Sequence, residues 1–281
     1  MSPGCLRLLV AAGALIAASP AFAASCTPLS RPPANHPSLA ALPDAYWRAL
    51  PDWADMVPGD RDLLARVSIV QRDTRALDPK LHFSDEVPAN VVALKTAPDQ
   101  QFIADGAVKL DALVLAARAA GTSIYVSNGF RSYAVQRATW PRNLRKYLVR
   151  TQEELRPYRH GDGSYSDDAV CALRAYAAQH YAFPGYSNHQ SGRAADFHAP
   201  MENAPELNSD SGADAFRGHS NIQRWCTSAV FAWLHSHARE FGFVQAKIDE
   251  PWHWVYDPPA AARPADADYV ATSCQSVPMK P

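Results

Sequence analysis

The chain carries no excess of charge of either sign: 27 Lys and Arg stand against 28 Asp and Glu in 281 residues, and the two signs are interspersed. That balance offers no footprint for a polyanion, so neither nucleic acid nor an anionic membrane surface is expected as a partner. Beyond residue 23 no apolar run approaches the roughly 20 residues that a membrane helix requires, so no transmembrane segment is expected. Close cysteine pairs of the C-x-x-C kind are missing, which argues against a four-cysteine zinc site. Internal repeats and low-complexity tracts are missing as well, and the length suits one ample domain with extensions.

What is present begins with Arg7, the apolar run Leu8 to Ala18 and the small-residue end Ala21-Phe22-Ala23. Residues 1–23 read as a secretory signal, so the protein is expected to be exported, periplasmic or secreted. Cys26, Cys171, Cys226 and Cys274 then remain, and an even count in an oxidising compartment predicts two disulfides. The expected pairs are Cys171 with Cys226, which flank the motif described below, and Cys26 with Cys274, which would tie both tails to the body. Cys26 also half-matches a lipidation motif. Residues 24–86 form an arm and extension, rich in Pro and Ala to about Leu50, with a short helical pattern over Asp62 to Val70. Residues 258–281 are a second Pro- and Ala-rich tail, leaving 87–257 as the organised domain.

Within that domain Leu110, Leu113, Val114 and Ala117 recur at helical spacing, and Gly121 stands where a left-handed cap is wanted. Ser123 to Ser127 reads as a strand that turns through Asn128-Gly129 into Phe130-Arg131-Ser132-Tyr133 and a helix, which sets Arg131 at a strand end facing a cleft. Asn143 to Tyr158 reads as a separate charged helix with a solvated face, a substrate-facing patch being the alternative. Asp167 to Tyr181 and Thr227 to Phe241 are further helices, the latter stopped by Gly242, and Met201 to Asn221 is a polar loop or lid. Strands follow at Phe243 to Gln245 and Trp252 to Tyr256. The fold class is α+β, a small antiparallel sheet bearing the chemistry and helices flanking it.

Two motifs carry that chemistry: Ser187-Asn188-His189-Gln190-Ser191-Gly192-Arg193-Ala194-Ala195-Asp196 and Glu250-Pro251-Trp252-His253. Together they supply two imidazoles, one carboxylate ligand and one spare carboxylate. A hydrolytic zinc ion takes three protein ligands and leaves a position for water, whose pKa falls from about 15.7 toward about 7 on binding. His189, Asp196 and His253 fit the ligands, and Glu250 fits the base. His189 and Asp196 lie an odd number of steps apart, so a straight strand would aim them at opposite faces, and Ser191-Gly192 supplies the needed bend. Glu250 and His253 have the same parity problem, which Pro251 resolves by holding Glu250 extended. Trp252 and Trp254 should point into the core. His198, two residues past Asp196 and on its face, is the rival ligand, but His253 comes with a base at fixed spacing.

These motifs, with Asn128 to Tyr133 and Gln136, resemble the VanY-like zinc D-alanyl-D-alanine carboxypeptidases, members of the group that shares the hedgehog fold; the likeness covers roughly Val87 to Asp257. It implies Zn2+ as cofactor, a peptidoglycan stem peptide as substrate, and substrate contacts from Arg131, Ser187 and Gln136, the arginine reaching a carboxylate or the developing oxyanion. It departs at Val255, where family members often carry arginine, and in the long charged insertion between Trp140 and Asp167. An endopeptidase acting on cross-links, and a zinc-containing cell-wall or partner-binding module without turnover, stay open as alternatives.

Overall fold

In the computed structural model, residues 50, 52–77, 87–210, 219–246, 248–263 and 274–275 are described. The signal segment, the arm to residue 49 and most of the C-terminal tail therefore lie outside the described residues.

Two cores divide the work. The first is built on a four-stranded antiparallel sheet in the order β3 (Tyr125–Asn128), β4 (Ala194–His198), β6 (His253–Tyr256), β5 (Phe243–Gln245). A two-stranded ribbon, β1 (Val91–Ala93) with β2 (Gln101–Ile103), precedes α2 (Ala104–Ala119). The face of α2 that carries Leu110, Leu113, Val114 and Ala117 is fully buried in the same core as Phe197, Trp254 and the α7 (Ala229–His237) residues Phe231 and Leu234. Gly121 closes α2 at φ +78 and Gly242 ends the turn after α7 at φ +85, the left-handed geometry that favours glycine.

The second core is helical. α1 (Pro58–Leu77) packs Leu63, Leu64 and Val67 against Trp140, Leu144 and Leu148 of α3 (Tyr133–Arg150) and Leu173 of α5 (Asp167–His180). The helix expected over Asp62 to Val70 is thus the middle of a longer one. α3 also corrects the expectation of a separate charged helix over Asn143 to Tyr158: one helix runs from Tyr133 through Pro141 to Arg150, and only the short α4 (Gln152–Leu155) and a 3-10 turn follow. Trp140, Leu144, Tyr147 and Leu148 recur at helical spacing and are all buried, so the apolar stripe holds the helix together across its proline.

The disulfide expectation is corrected as well. Cys226, at the end of α6 (Asn221–Cys226), pairs with Cys274 at a Cα separation of 4.9 Å, and both sit in the sheet core. Cys171 is also disulfide-bonded, to a partner outside the described residues. Cys171 is half-buried on α5, a helix of the helical core, whereas Cys226 belongs to the sheet core.

Candidate active site

Register creates the site. Asp196 on β4 and His253 on β6 are direct cross-strand partners, so the pleat sends both side chains to one face. His189 arrives from a different direction, on the 3-10 turn Asn188–Ser191, which Gly192 terminates at φ +70. That glycine is the predicted bend, made by a helical turn rather than a kinked strand. The ligand atoms of His189, Asp196 and His253 lie within 4.8 Å of one another, and all three side chains are buried. His253 Nδ1 is 2.8 Å from Asp196 Oδ1, and His189 Nε2 is 3.3 Å from Asp196 Oδ2.

The surroundings prepare these atoms. His189 Nδ1 lies 2.7 Å from the Gly129 carbonyl oxygen. A carbonyl only accepts, so Nδ1 donates to it, and Nε2 is the nitrogen that faces Asp196. Gly129 can come this close because it has no side chain: a Cβ there would stand 2.3 Å from the Gln101 carbonyl oxygen. Burial alone would raise the Asp196 pKa, but the charges and hydrogen bonds of His189 and His253 overcome it and hold that carboxyl well below the usual range. Burial lowers His189, and Asp196 does not make up the difference. For His253 burial also acts downward, yet the Asp196 hydrogen bond and charge outweigh it and the net shift is upward.

This donor set fits zinc. Zn–N and Zn–O bonds of about 2.0–2.2 Å in a tetrahedron put ligand atoms roughly 3.4 Å apart, close to the observed spacings, and three ligands leave a position open. Glu250 lines the same cleft, and burial pushes its carboxyl up to about 8, with Asp196 adding to the rise and His253 and Arg131 opposing it. The local backbone differs from expectation: Glu250-Pro251-Trp252 is a turn closed by a His253 N–H bond to the Glu250 carbonyl, and the strand begins only at His253. Trp252 and Trp254 point into the core as expected.

Arg131 follows β3 and lines the cleft of about 1200 Å3 that holds the cluster. Its guanidinium lies 4.8 Å over the Tyr181 ring and donates to Ser187 Oγ at 3.2 Å. Ser132 caps α3 by accepting from the Val135 N–H. Gln136, one turn on, is fully enclosed rather than part of the cleft lining: its Nε2 donates to the Ala182 carbonyl, on the segment that leads to Ser187. His198, the rival ligand, has both nitrogens engaged elsewhere. The Ser209 N–H donates to its Nε2, so Nδ1 donates to Glu206 at 2.5 Å. Sequence reasoning missed Tyr181, the Gly129 carbonyl and the cleft wall at Asn208, Ser209 and Asp210. Only Asn128-Gly129 left a local signal, as a turn.

No curated protein matches the chain. Among solved structures, VanYB in complex with D-alanine-D-alanine aligns at 21% identity and TM-score 0.45, covering 67% of this chain and 89% of its own. A VanY D,D-pentapeptidase variant from a VanB-type vancomycin resistance cassette, bound to Zn(II), aligns at 22% and 0.42, covering 64% and 85%. DacB from Streptococcus pneumoniae D39 aligns at 20% and 0.38, covering 66% and 76%. The family described as VanY, D-alanyl-D-alanine carboxypeptidase, matches residues 100–259, more than half of the chain and the stretch that contains both motifs. With that match and a buried His-Asp-His cluster suited to zinc, the chain belongs to the VanY family and is a zinc peptidase of the D-alanyl-D-alanine carboxypeptidase kind.

Proposed function

We propose that this protein removes the terminal D-alanine from peptidoglycan stem peptides in the exported space, with 87–257 as the catalytic domain. The observation that carries the reading is a buried three-ligand cluster with a spare glutamate beside it, opening on a cleft whose wall holds a guanidinium. His189 Nε2, an Asp196 carboxylate oxygen and His253 Nδ1 hold the ion. Zinc, when bound, supplies the Lewis acidity that makes a water nucleophilic at neutral pH and polarises the scissile carbonyl. Glu250 takes a proton from the attacking water on its carboxylate and returns it to the leaving amine nitrogen. A nearby dication favours the ionised carboxylate, offsetting the burial that otherwise keeps Glu250 protonated.

Arg131 receives the substrate's terminal carboxylate or the developing oxyanion, for which a planar guanidinium is suited. Stacking on Tyr181 and the bond to Ser187 hold its direction, and Ser187 shares the substrate contact. Gln136 acts as a positioning residue through Ala182. Export by residues 1–23 and a periplasmic or secreted location follow from the signal pattern. Among the described residues no helix is long and apolar enough to cross a membrane.

The test is release of D-alanine from a purified muropeptide pentapeptide by zinc-loaded wild type and Glu250→Ala, with metal content measured in both. Wild type is expected to release D-alanine and the variant to retain zinc with little release. Equal inactivity with zinc bound in both would assign the chain to binding, and cleavage of cross-linked dimers alone would assign it to endopeptidases.

A further inference from the structure

The cleft that holds the metal-ligating cluster is also lined by Lys146 of α3 and by Arg174 and His180 of α5, none of which the hydrolytic step uses. Lys146 lies 2.7 Å from Asp210, and the same carboxylate takes Arg150 at 3.3 Å. Arg174 is partly exposed to the cleft and, among the described residues, no hydrogen bond, ion pair or ring contact engages it. Of the other cleft carboxylates, Asp196 is engaged at the ligand cluster, Asp210 with Lys146 and Arg150 and Asp249 with a group of its own, and Glu250 lies near the cluster. A guanidinium held in a walled cleft without a partner is matched in shape and charge by a planar carboxylate.

Its position says which carboxylate. α5 runs from Arg174 toward Tyr181, whose ring holds the Arg131 guanidinium. Six helical steps from Arg174 to His180 at about 1.5 Å each, with extended Tyr181 next in the chain, span about 10 Å. Extended peptide covers that distance in about three residues at roughly 3.3 Å each. We propose that Arg174, in the cleft that Lys146 also lines, receives a second carboxylate of the peptide substrate, about three residues ahead of the C-terminus gripped by Arg131. The enzyme would thereby select acidic stem peptides over amidated ones. This inference rests on the peptidase reading above.

The test uses two synthetic pentapeptides ending in D-Ala-D-Ala, one with Glu and one with its neutral isostere Gln at the second residue. kcat/KM for D-alanine release is measured with zinc-loaded wild type, Arg174→Gln and Arg174→Lys. A charge-assisted contact of this kind discriminates by about tenfold to a hundredfold. Wild type is expected to favour the Glu peptide by about tenfold or more; Arg174→Gln should bring the ratio near one by losing rate on the Glu peptide, and Arg174→Lys should keep part of it. A wild-type ratio near one, a ratio that survives in Arg174→Gln, or equal losses on both peptides overturns the inference and leaves the peptidase reading standing. Failure of wild type to release D-alanine from either peptide overturns both.

Discussion

Replacing Glu250 by glutamine should make the metal-free protein more stable while removing its activity. Burial lifts the Glu250 carboxyl from its ordinary 4.5 to about 8. A group whose folded-state pKa is raised favours folding below its unfolded value and loses that favour as pH climbs toward the folded one. Between pH 4.5 and 8 the metal-free wild type should therefore lose up to about 1.36 kcal/mol of stability per pH unit at this side chain. At pH 7 that amounts to about 3 kcal/mol at most, and to about 1–3 kcal/mol once the partial solvent access of the side chain is allowed for. Glutamine keeps the shape and never ionises, so Glu250→Gln should gain that amount at pH 7 and almost nothing at pH 4.5. At roughly 2–4 °C per kcal/mol for a chain of this size, the Tm should rise by several degrees. Zinc, which favours the ionised glutamate, should narrow the gap. The same change deletes the proton acceptor, so D-alanine release should fall by about 10²- to 10⁴-fold. Urea unfolding of chelator-treated protein at both pH values, repeated with zinc, checks the stability arm. A variant less stable than wild type at pH 7, or a gap that ignores pH, would refute the burial argument; undiminished turnover would refute the assignment of the base.

Three other outcomes are expected. His253→Ala removes one of three ligands and leaves Asp196 without its 2.8 Å partner, so bound zinc, measured by elemental analysis, should fall from about one per chain to a small fraction. Retention of stoichiometric zinc would show that the ion sits elsewhere. Arg131→Ala should lower kcat/KM by about tenfold to a hundredfold with zinc content kept, and Arg131→Lys should recover only part because an ammonium cannot make a bidentate pair; a full recovery would argue for simple charge. Cys274→Ser opens a link between residues 48 apart, worth up to about 4 kcal/mol of chain entropy, so chemical denaturation should shift by an amount of that order. An unshifted midpoint would mean that the native core holds the tail without the bond.

Much of the candidate site's geometry was legible because its groups come in short local motifs. His189 and Asp196 flank a glycine that had to turn, and Gly192 turns there. Glu250 sits three residues before His253, and both reach the cleft, though through a closed turn rather than an extended run. Helices with regular apolar spacing, such as α2 and α7, were legible for the same reason. The expected separate helix over Asn143 to Tyr158 misled because its charged residues were read as one solvated face, whereas Trp140, Leu144 and Leu148 bury a single helix on both sides of Pro141. The cysteine pairing misled because nearness to a motif says nothing about which core a residue enters.

What the sequence determined by itself was the inventory: two histidines, an aspartate and a glutamate in patterns that suit a dication, a strand-end arginine, and the periodicities of most helices. Only the tertiary structure decided that Asp196 faces His253 across two strands, that the Gly129 carbonyl sets the His189 tautomer, that Tyr181 carries Arg131, and that Arg174 shares their cleft. Ligand types and helix faces are set by neighbours within a few residues along the chain. Cross-strand register, backbone carbonyls and cleft walls join residues that are tens of positions apart, and those contacts exist only once the two cores have packed.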